Sequence, residues 1–297
     1  MYDPLILAID DIPADPAWLG AQPCPVIVYG AASAVSNADV MVPDLAAAQV
    51  LAQKIQASPI AALVLVQVLR SVESLPYAQA LDVESMAYST LQAGAEFAEW
   101  RYGYRVIERV SAYTDEPILL SREGAVIDAI LNRPVERNAI SVEMRDALVE
   151  LLQVVEADDS VTQLKLSGKG ACFSSGGDLN EFGSLPDPAV AHWVRTVQSP
   201  ARLLAKLSAR VTCYVHGACI GSGIELPAFA SHLVAHSKTF FQLPELQLGL
   251  IPGAGGTVSI ARRIGRQRLA WLVLSGRRIN AQTALAWGLV DEVQDGQ

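Results

Sequence analysis

A glycine-rich segment from Val215 to Leu226 (VHGACIGSGIEL) contains the residues best suited to chemistry. Gly221 and Gly223 flank Ser222, so the backbone can adopt positive φ angles and approach a ligand without a Cβ atom in the way. The pattern predicts a strand, a tight turn and the start of a helix, whose first N–H groups have no intrahelical partner. Glu225 follows closely. The segment therefore predicts a proton-transferring carboxylate beside N–H groups that stabilise developing negative charge.

Two other segments have related patterns, KGACFSSGGDLNEF (169–182) and FFQLPELQLGLIPGAGG (240–256). The second contains Glu245 and, at a glycine-rich helix entry, Gly253. A single Glu is most often a solvated side chain. Because Glu225 and Glu245 both stand beside glycine-rich turns on apolar segments, we interpret them as a catalytic pair.

Several other kinds of site lack support in the sequence. His232 and His236 are four residues apart, but no HExxH glutamate lies between them, so we predict core or surface histidines and no metal site. Ser222 is not in a G-x-S-x-G elbow because residue 220 is Ile. The glycines of 249–256 do not form the G-x-G-x-x-G pattern that follows a strand in nicotinamide-binding proteins.

The composition limits the class of protein. The 297-residue chain is 51% hydrophobic and 18% charged, with a formal net charge of −9. These values predict a well-packed protein and argue against nucleic acid as a partner. The N-terminus lacks a basic targeting signal, and the apolar run Ile60–Leu69 is too short to span a bilayer, so we expect a cytoplasmic protein without a membrane partner. Its cysteines, without CxxC spacing, should be reduced thiols: Cys24, Cys172, Cys213 and Cys219.

Residues 1–115 are predicted to form a small α/β unit after a loosely held lead-in of about 20 residues. The predicted strands are Pro25–Tyr29 and Ile60–Leu69, and the predicted helices are Asp44–Ala57 and Val83–Arg101.

A boundary is predicted near Tyr113–Pro117, followed by a second unit over residues 116–297. We expect a hairpin around Glu123-Gly124, strands at 161–167, 211–215 and 232–236, and a mostly extended segment at 240–252. The predicted helices are 141–156, capped by Ser141, then 179–182, 189–208, 258–264, 268–274 and 281–287.

Four motifs in order resemble the crotonase superfamily, the enoyl-CoA hydratase/isomerase family. They are the hairpin and loop at 124–141 (GAVIDAILNRPVERNAIS) and the segments 169–182, 216–226 and 240–256. The resemblance covers roughly residues 117 to 293 and is far more specific than one glycine pattern. It implies an α/β fold, a crotonase-like spiral of ββα units, here with an additional N-terminal α/β unit.

The resemblance also assigns roles to the site residues. It implies that the backbone N–H groups of Gly177 and Ser222 form an oxyanion hole, with Ser222 standing where the family more often has Gly. Glu225 and Glu245 match the two catalytic glutamates of the hydratases, whereas the family's isomerases commonly rely on the second alone. Gly253 matches the residue at which a helix N-terminus polarises the thioester.

Coenzyme A is expected as part of the substrate, with no separate cofactor. The family holds this moiety between two loops, which correspond here to Glu136 and Arg137 on one side and to Ser175, Gly176, Asp178 and Leu179 on the other. Lys169, Arg133 and Arg137 are the local cations available to its phosphates. Asn180 stands where the family often has a Lys, which removes that contact.

The chain departs from the family pattern at both ends. Residues 1–115 have no counterpart in the simplest members, and the usual C-terminal helices, which cover the acyl pocket and help build trimers, do not follow Leu289–Val293. We expect the N-terminal unit or a partner subunit to cover that surface, in a homo-oligomer such as a trimer or hexamer.

The leading prediction is hydration of a 2-enoyl-CoA to a 3-hydroxyacyl-CoA. The alternatives are another reaction of the same enolate (isomerisation, C–C bond hydrolysis or thioester hydrolysis) and a non-catalytic structural subunit. The sequence does not identify the acyl group or distinguish CoA from an acyl carrier protein.

Overall fold

The computed structural model describes residues 3–15, 17–30, 35, 37–106, 115–185 and 187–295. Its N-terminal part contains a parallel three-stranded sheet in the order β1-β2-β3, made of β1 (Leu5–Ala8), β2 (Val26–Tyr29) and β3 (Val40–Val42). The helices are α1 (Ala17–Gly20), α2 (Leu45–Ala57), α3 (Pro59–Val72), α4 (Tyr77–Gln92) and α5 (Ala95–Gly103).

Three predictions for this part were wrong. The lead-in contains a strand, β1, and the run Ile60–Leu69 lies in helix α3 instead of a strand. The residues of α3 are so uniformly apolar that no helical period was visible, yet Pro59 occupies its first turn, where a proline is tolerated. The single helix predicted over Val83–Arg101 is α4 and α5, which are separated at Ala93–Gly94.

The hairpin is confirmed as the antiparallel pair β4 (Ile118–Glu123) and β5 (Val126–Leu131). The next helix, α6 (Val142–Ala157), is also confirmed, and Ser141 Oγ caps it by accepting a hydrogen bond of 3.2 Å from Met144 N–H. Strand β6 (Gln163–Gly168) pairs with β5 in parallel.

Two helix predictions in the next segment were wrong. The predicted helix 189–208 is two helices, α7 (Pro188–Val197) and α8 (Pro200–Leu207), because Pro200 begins a new helix that Ser199 caps. The residues 179–182 form turns instead of a helix.

The remaining strands are β7 (Val211–Val215), β8 (Ala218–Ile220), β9 (His232–His236), β10 (Phe240–Gln242), β11 (Ile279–Asn280) and β12 (Glu292–Gln294). The remaining helices are α9 (Ser222–Glu225), α10 (Gly256–Ile264), α11 (Arg266–Ser275) and α12 (Ala281–Trp287). One sheet has the order β12-β9-β7-β6-β5-β4, and a smaller one has the order β11-β10-β8. The segment predicted as extended, 240–252, is a short strand followed by a 3₁₀ turn at Glu245–Leu248.

The main hydrophobic core contains residues from both sides of the predicted boundary. Leu65 of α3 and Tyr88 of α4 belong to the same buried cluster as Leu226, Ile260 and Leu269. The boundary itself stays a prediction, and two residues of Tyr113–Pro117, Tyr113 and Thr114, lie outside the described residues. Within the described part no single helix meets the length and apolarity needed to cross a membrane, and the bent pair α2 and α3 meets them together, at 108°.

Candidate active site

The glycine-rich segment has the predicted strand–turn–helix form. Strand β8 ends at Ile220, Gly221 turns the chain at a φ of 51°, and α9 begins at Ser222. Because Ser222 is the first helical residue, its N–H has no intrahelical acceptor. The turn also needs glycines for space: a Cβ at Gly223 would lie 2.5 Å from the carbonyl oxygen of Ser174.

A second loop lies beside β8 and brings Gly177 to the same place. Ile140 N–H donates to Gly176 O at 2.8 Å, and Asp178 N–H donates to Ile140 O at 3.2 Å. In such a parallel bridge the intervening residue directs its own N–H to the opposite side. Gly177 therefore turns its N–H away from Ile140, and both Gly177 and Ser222 lie on the wall of one cavity.

The two candidate carboxylates meet at Gly221. A methyl group in place of the Gly221 hydrogen would lie 2.8 Å from Glu245 Oε1 and 3.9 Å from Glu225 Oε1. Both side chains are buried and both line the cavity. The structure therefore brings Glu225, Glu245, Gly177 and Ser222 together, as the sequence predicted.

Glu225 is held by the glycine-rich entry to α10. Its Oε2 accepts hydrogen bonds from Ala254 N–H at 2.8 Å and Gly256 N–H at 2.9 Å, which leaves Oε1 facing Gly221. Burial, with the charges of Glu245 and Glu84, raises the pKa of Glu225 well above its ordinary value. Burial therefore favours the protonated form of this carboxyl.

Glu245 has a buried oxygen without a partner. Its Oε2 makes no hydrogen bond to any described residue, although it is shielded from solvent. Burial raises the pKa of Glu245 to about 8. Buried carboxyl oxygens are normally hydrogen-bonded, so this atom is suited to bind water or a substrate group.

Helix α4 supplies two residues of the site that sequence reasoning missed. Glu84 accepts hydrogen bonds from Gly255 N–H (2.6 Å), Thr257 N–H (2.9 Å) and Thr257 Oγ1 (2.6 Å). The ring of Tyr88 packs on Gly253, where a Cβ would come within 2.3 Å of it. Glu84 and Tyr88 thus fix the loop that holds Glu225. The only signal in the sequence is that Glu84 lies at helical spacing from the apolar residues Leu81 and Tyr88, which indicates a buried position. This spacing does not identify its distant partners, Gly255 and Thr257.

The cavity encloses about 650 Å³. The expected binding residues Ser175, Gly176, Asp178 and Leu179 lie on its wall, as does Gly253, whereas Glu136 and Arg137 do not. Ser175 N–H donates to Arg137 O at 2.9 Å, so the two loops are adjacent at this point.

One of the three cations expected near the phosphates, Arg133, is already bound within the protein. Arg133 is buried and ion-paired with Glu143 at 2.8 Å, and it also donates to the carbonyls of residues 115 and 116, so it is not available to a phosphate. Lys169 and Arg137 are exposed. Asn180 Oδ1 accepts a hydrogen bond from Tyr104 Oη at 3.2 Å, which ties this loop to the end of α5.

Comparison with known proteins identifies the family of the chain. Residues 121–295 match the family model described as enoyl-CoA hydratase/isomerase. The chain belongs to the enoyl-CoA hydratase/isomerase family. Two similar proteins are both from Escherichia coli and 36% identical. They are 2,3-dehydroadipyl-CoA hydratase, with 59% of this chain aligned to 68% of the relative, and 1,2-epoxyphenylacetyl-CoA isomerase, with 61% aligned to 71%.

Solved structures confirm the crotonase-type α/β fold. An enoyl-CoA hydratase from Thermoplasma volcanium is 34% identical with a TM-score of 0.56, over 61% of this chain and 73% of that one. An enoyl-CoA hydratase subunit from Geobacillus kaustophilus is 31% identical with the same TM-score, over 60% and 69%. Glu84 and Tyr88 precede the segment that the family model matches.

No group of three or more His, Cys, Asp or Glu side chains among the described residues is arranged to hold a metal ion. The ring of His232 lies 3.4 Å from Glu292. All four cysteines are free thiols, three of them buried.

Proposed function

We propose that this enzyme adds water to the double bond of a 2-enoyl-CoA. The observation that carries the proposal is the pair of buried carboxylates, Glu225 and Glu245, which face one point beside Gly221. One carboxylate takes a proton from water as the water oxygen bonds to C3 of the substrate. The other carboxyl group gives a proton to C2. Two groups with these opposite roles suit hydration, whereas double-bond isomerisation requires only one.

The thioester oxygen accepts hydrogen bonds from the N–H groups of Gly177 and Ser222 during this reaction. They stabilise the negative charge of the enolate formed when water adds, and each such donor typically contributes about 2.7–4 kcal/mol in the transition state. Ser175, Gly176, Asp178 and Leu179 contact the CoA moiety, which is part of the substrate. No separate cofactor takes part in this scheme.

The raised pKa values of the two glutamates support the division of labour. Two buried carboxyl groups that face each other lose their protons in two separate steps, so between those steps one holds a proton while the other is charged. The pair thus contains an acid and a base at the same pH.

The test is loss of the conjugated-thioester absorbance of crotonyl-CoA, measured with the purified protein. We expect Glu225→Gln and Glu245→Gln each to lower kcat by at least about 100-fold, because each removes an acid–base group. Glu150→Gln, an exposed carboxylate on α6, is the control for the loss of one charge. Formation of 2-enoyl-CoA from a 3-enoyl-CoA, with no hydration and a requirement for Glu245 alone, would replace this proposal with isomerisation.

A further inference from the structure

Helices α4 and α7 form one wall of the cavity. The residues of α4 on this wall are Leu81, Glu84, Ser85, Tyr88 and Gln92, and those of α7 are Ala191, Val194 and Arg195. Both sets recur at helical spacing, so each helix turns one face to the cavity. Arg195 is the cation on this wall.

The guanidinium of Arg195 has neutral partners. Its Nε lies 3.3 Å from Ser85 Oγ, its Nη1 lies 3.2 Å from Gln92 Oε1, and its Nη2 contacts Ser89 Oγ. Its central carbon stands 4.8 Å from the centre of the Tyr88 ring. Within the described residues no carboxylate comes within 4.0 Å of it.

Two other charged residues of the cavity wall, Arg145 and Glu84, do not provide Arg195 with an ion-pair partner. Arg145, the other arginine on the cavity wall, is already ion-paired with Asp146 at 2.7 Å. Glu84 interacts with Arg195 by charge, but both of its oxygens are hydrogen-bonded to residues 255 and 257. Arg195 therefore presents a partly desolvated positive charge to the cavity without a paired anion.

A charge in such a position is costly. Charged side chains that lose water are normally paired, and a guanidinium presents five donors in a planar fork that matches a carboxylate. Ser85, Gln92 and Ser89 account for three contacts and supply no negative charge. An acyl group ending in a carboxylate would supply the missing partner.

We propose that Arg195 binds a carboxylate at the far end of the acyl chain, so that the preferred substrates are CoA thioesters of dicarboxylic enoyl acids. The position fits because the Tyr88 ring contacts both Gly253, at the expected thioester position, and Arg195. The thioester end and the carboxylate end of the acyl chain thus lie on either side of the Tyr88 ring. The choice of substrate class rests on the proposed function.

The test compares two thioesters of equal chain length, 2-hexenoyl-CoA and the mono-CoA thioester of 2-hexenedioic acid. We expect the wild-type protein to have the higher kcat/KM for the dicarboxylic substrate. Arg195→Gln should lower the ratio of the two kcat/KM values by about 10- to 100-fold, as expected for loss of a charge-assisted hydrogen bond. Arg195→Lys, which keeps the charge but not the fork, should retain part of the preference.

Arg202→Gln is the matched control. Arg202 joins α8 to α4 through Asp82 and is absent from the cavity wall, so its loss reports on loosening of α4 without removal of the proposed contact. A variant that only disturbs packing should lower kcat/KM equally for the two substrates and leave the ratio of the two values unchanged. An unchanged ratio in Arg195→Gln, or a wild-type preference for the neutral thioester, would overturn the proposal.

Binding of the saturated analogues separates this inference from the proposed reaction. Calorimetric titration with adipyl-CoA and hexanoyl-CoA measures the carboxylate preference without turnover. A preference for adipyl-CoA that Arg195→Gln removes supports the anion site even when no hydration is detected. Hydration of 2-hexenoyl-CoA together with equal binding of the two analogues retains the hydratase and rejects the anion site.

Discussion

Glu84 and Glu225 bind one short glycine-rich loop through their buried carboxyl groups, and the buried carboxyl of Glu245 lies near that of Glu225 beside Gly221. Burial is the main cause of the raised pKa of each of them. The hydrogen bonds from residues 254–257 act in the opposite direction and favour the charged forms of Glu84 and Glu225. Burial prevails, so the site stores protons near neutral pH, which suits a reaction that moves them.

The raised pKa values predict how the stability depends on pH. Glu245 titrates at 4.5 in the unfolded chain and at about 8 in the native protein. Between these values the unfolded state has lost a proton that the native state keeps, so the associated stability is complete below 4.5 and is lost as the pH rises through about 8. From pH 5 to pH 8, the free energy of unfolding should fall by at least about 1 kcal/mol more in the wild type than in Glu245→Gln.

Urea denaturation at the two pH values measures this difference. Gln keeps the shape of the side chain and cannot titrate in this range, so it isolates the proton. If the free energy of unfolding of the two proteins changed equally between pH 5 and pH 8, the proposed shift at Glu245 would be rejected.

At the scale of elements, the contact of α4 with the loop at 253–257 decides the geometry of the site. The sequence predicted α2, α6 and the strand–turn–helix around Gly221, because residues with a strong local preference mark their ends. Asp44 and Ser141, for example, are N-cap residues. It did not predict α3, whose apolar residues concealed the period. Nor could it predict the role of Glu84, because its partners are 171 and 173 residues away. The four motifs identified the candidate site, and only the tertiary structure added its α4 wall.

Gly253→Ala tests this contact. The added Cβ would lie 2.3 Å from Tyr88 Cδ2, so either the ring or the loop must move. We expect a loss of stability of about 1–3 kcal/mol. Activity should fall as well, because the loop also holds Glu225. Gly103→Ala at the end of α5 is the control, since nothing lies within 4 Å of its added Cβ. Thermal melts and crotonyl-CoA assays indistinguishable between the two variants would contradict the contact.

At the scale of the whole molecule, α3 and α4 share a hydrophobic core with the segment that matches the family model. This arrangement supports the hypothesis that the N-terminal unit covers the acyl pocket. The trimer or hexamer expected from the resemblance stays a prediction.

Separation of the N-terminal unit from residues 115–297 tests whether the catalytic part depends on the N-terminal unit. A protease site inserted after Val106, where Arg105 and Val106 are exposed, allows the chain to be cut after folding. We expect the two fragments to elute together and keep activity, because the shared core holds them, whereas residues 115–297 expressed alone should aggregate or lack activity. Size-exclusion chromatography and thermal melts measure both outcomes. A stable, active fragment 115–297 would show that the N-terminal unit is dispensable.

The distance in sequence between Glu84 and Gly255, 171 residues, also has a consequence for biosynthesis. A ribosome adds about 5–20 residues per second, so roughly 10–30 seconds separate the synthesis of α4 from that of its loop. During this interval the apolar faces of α3 and α4 have emerged while their partners in α10 and α11 do not yet exist. The nascent chain is therefore a candidate for chaperone binding. The reaction centre can assemble only after the residues up to 257 have been synthesised.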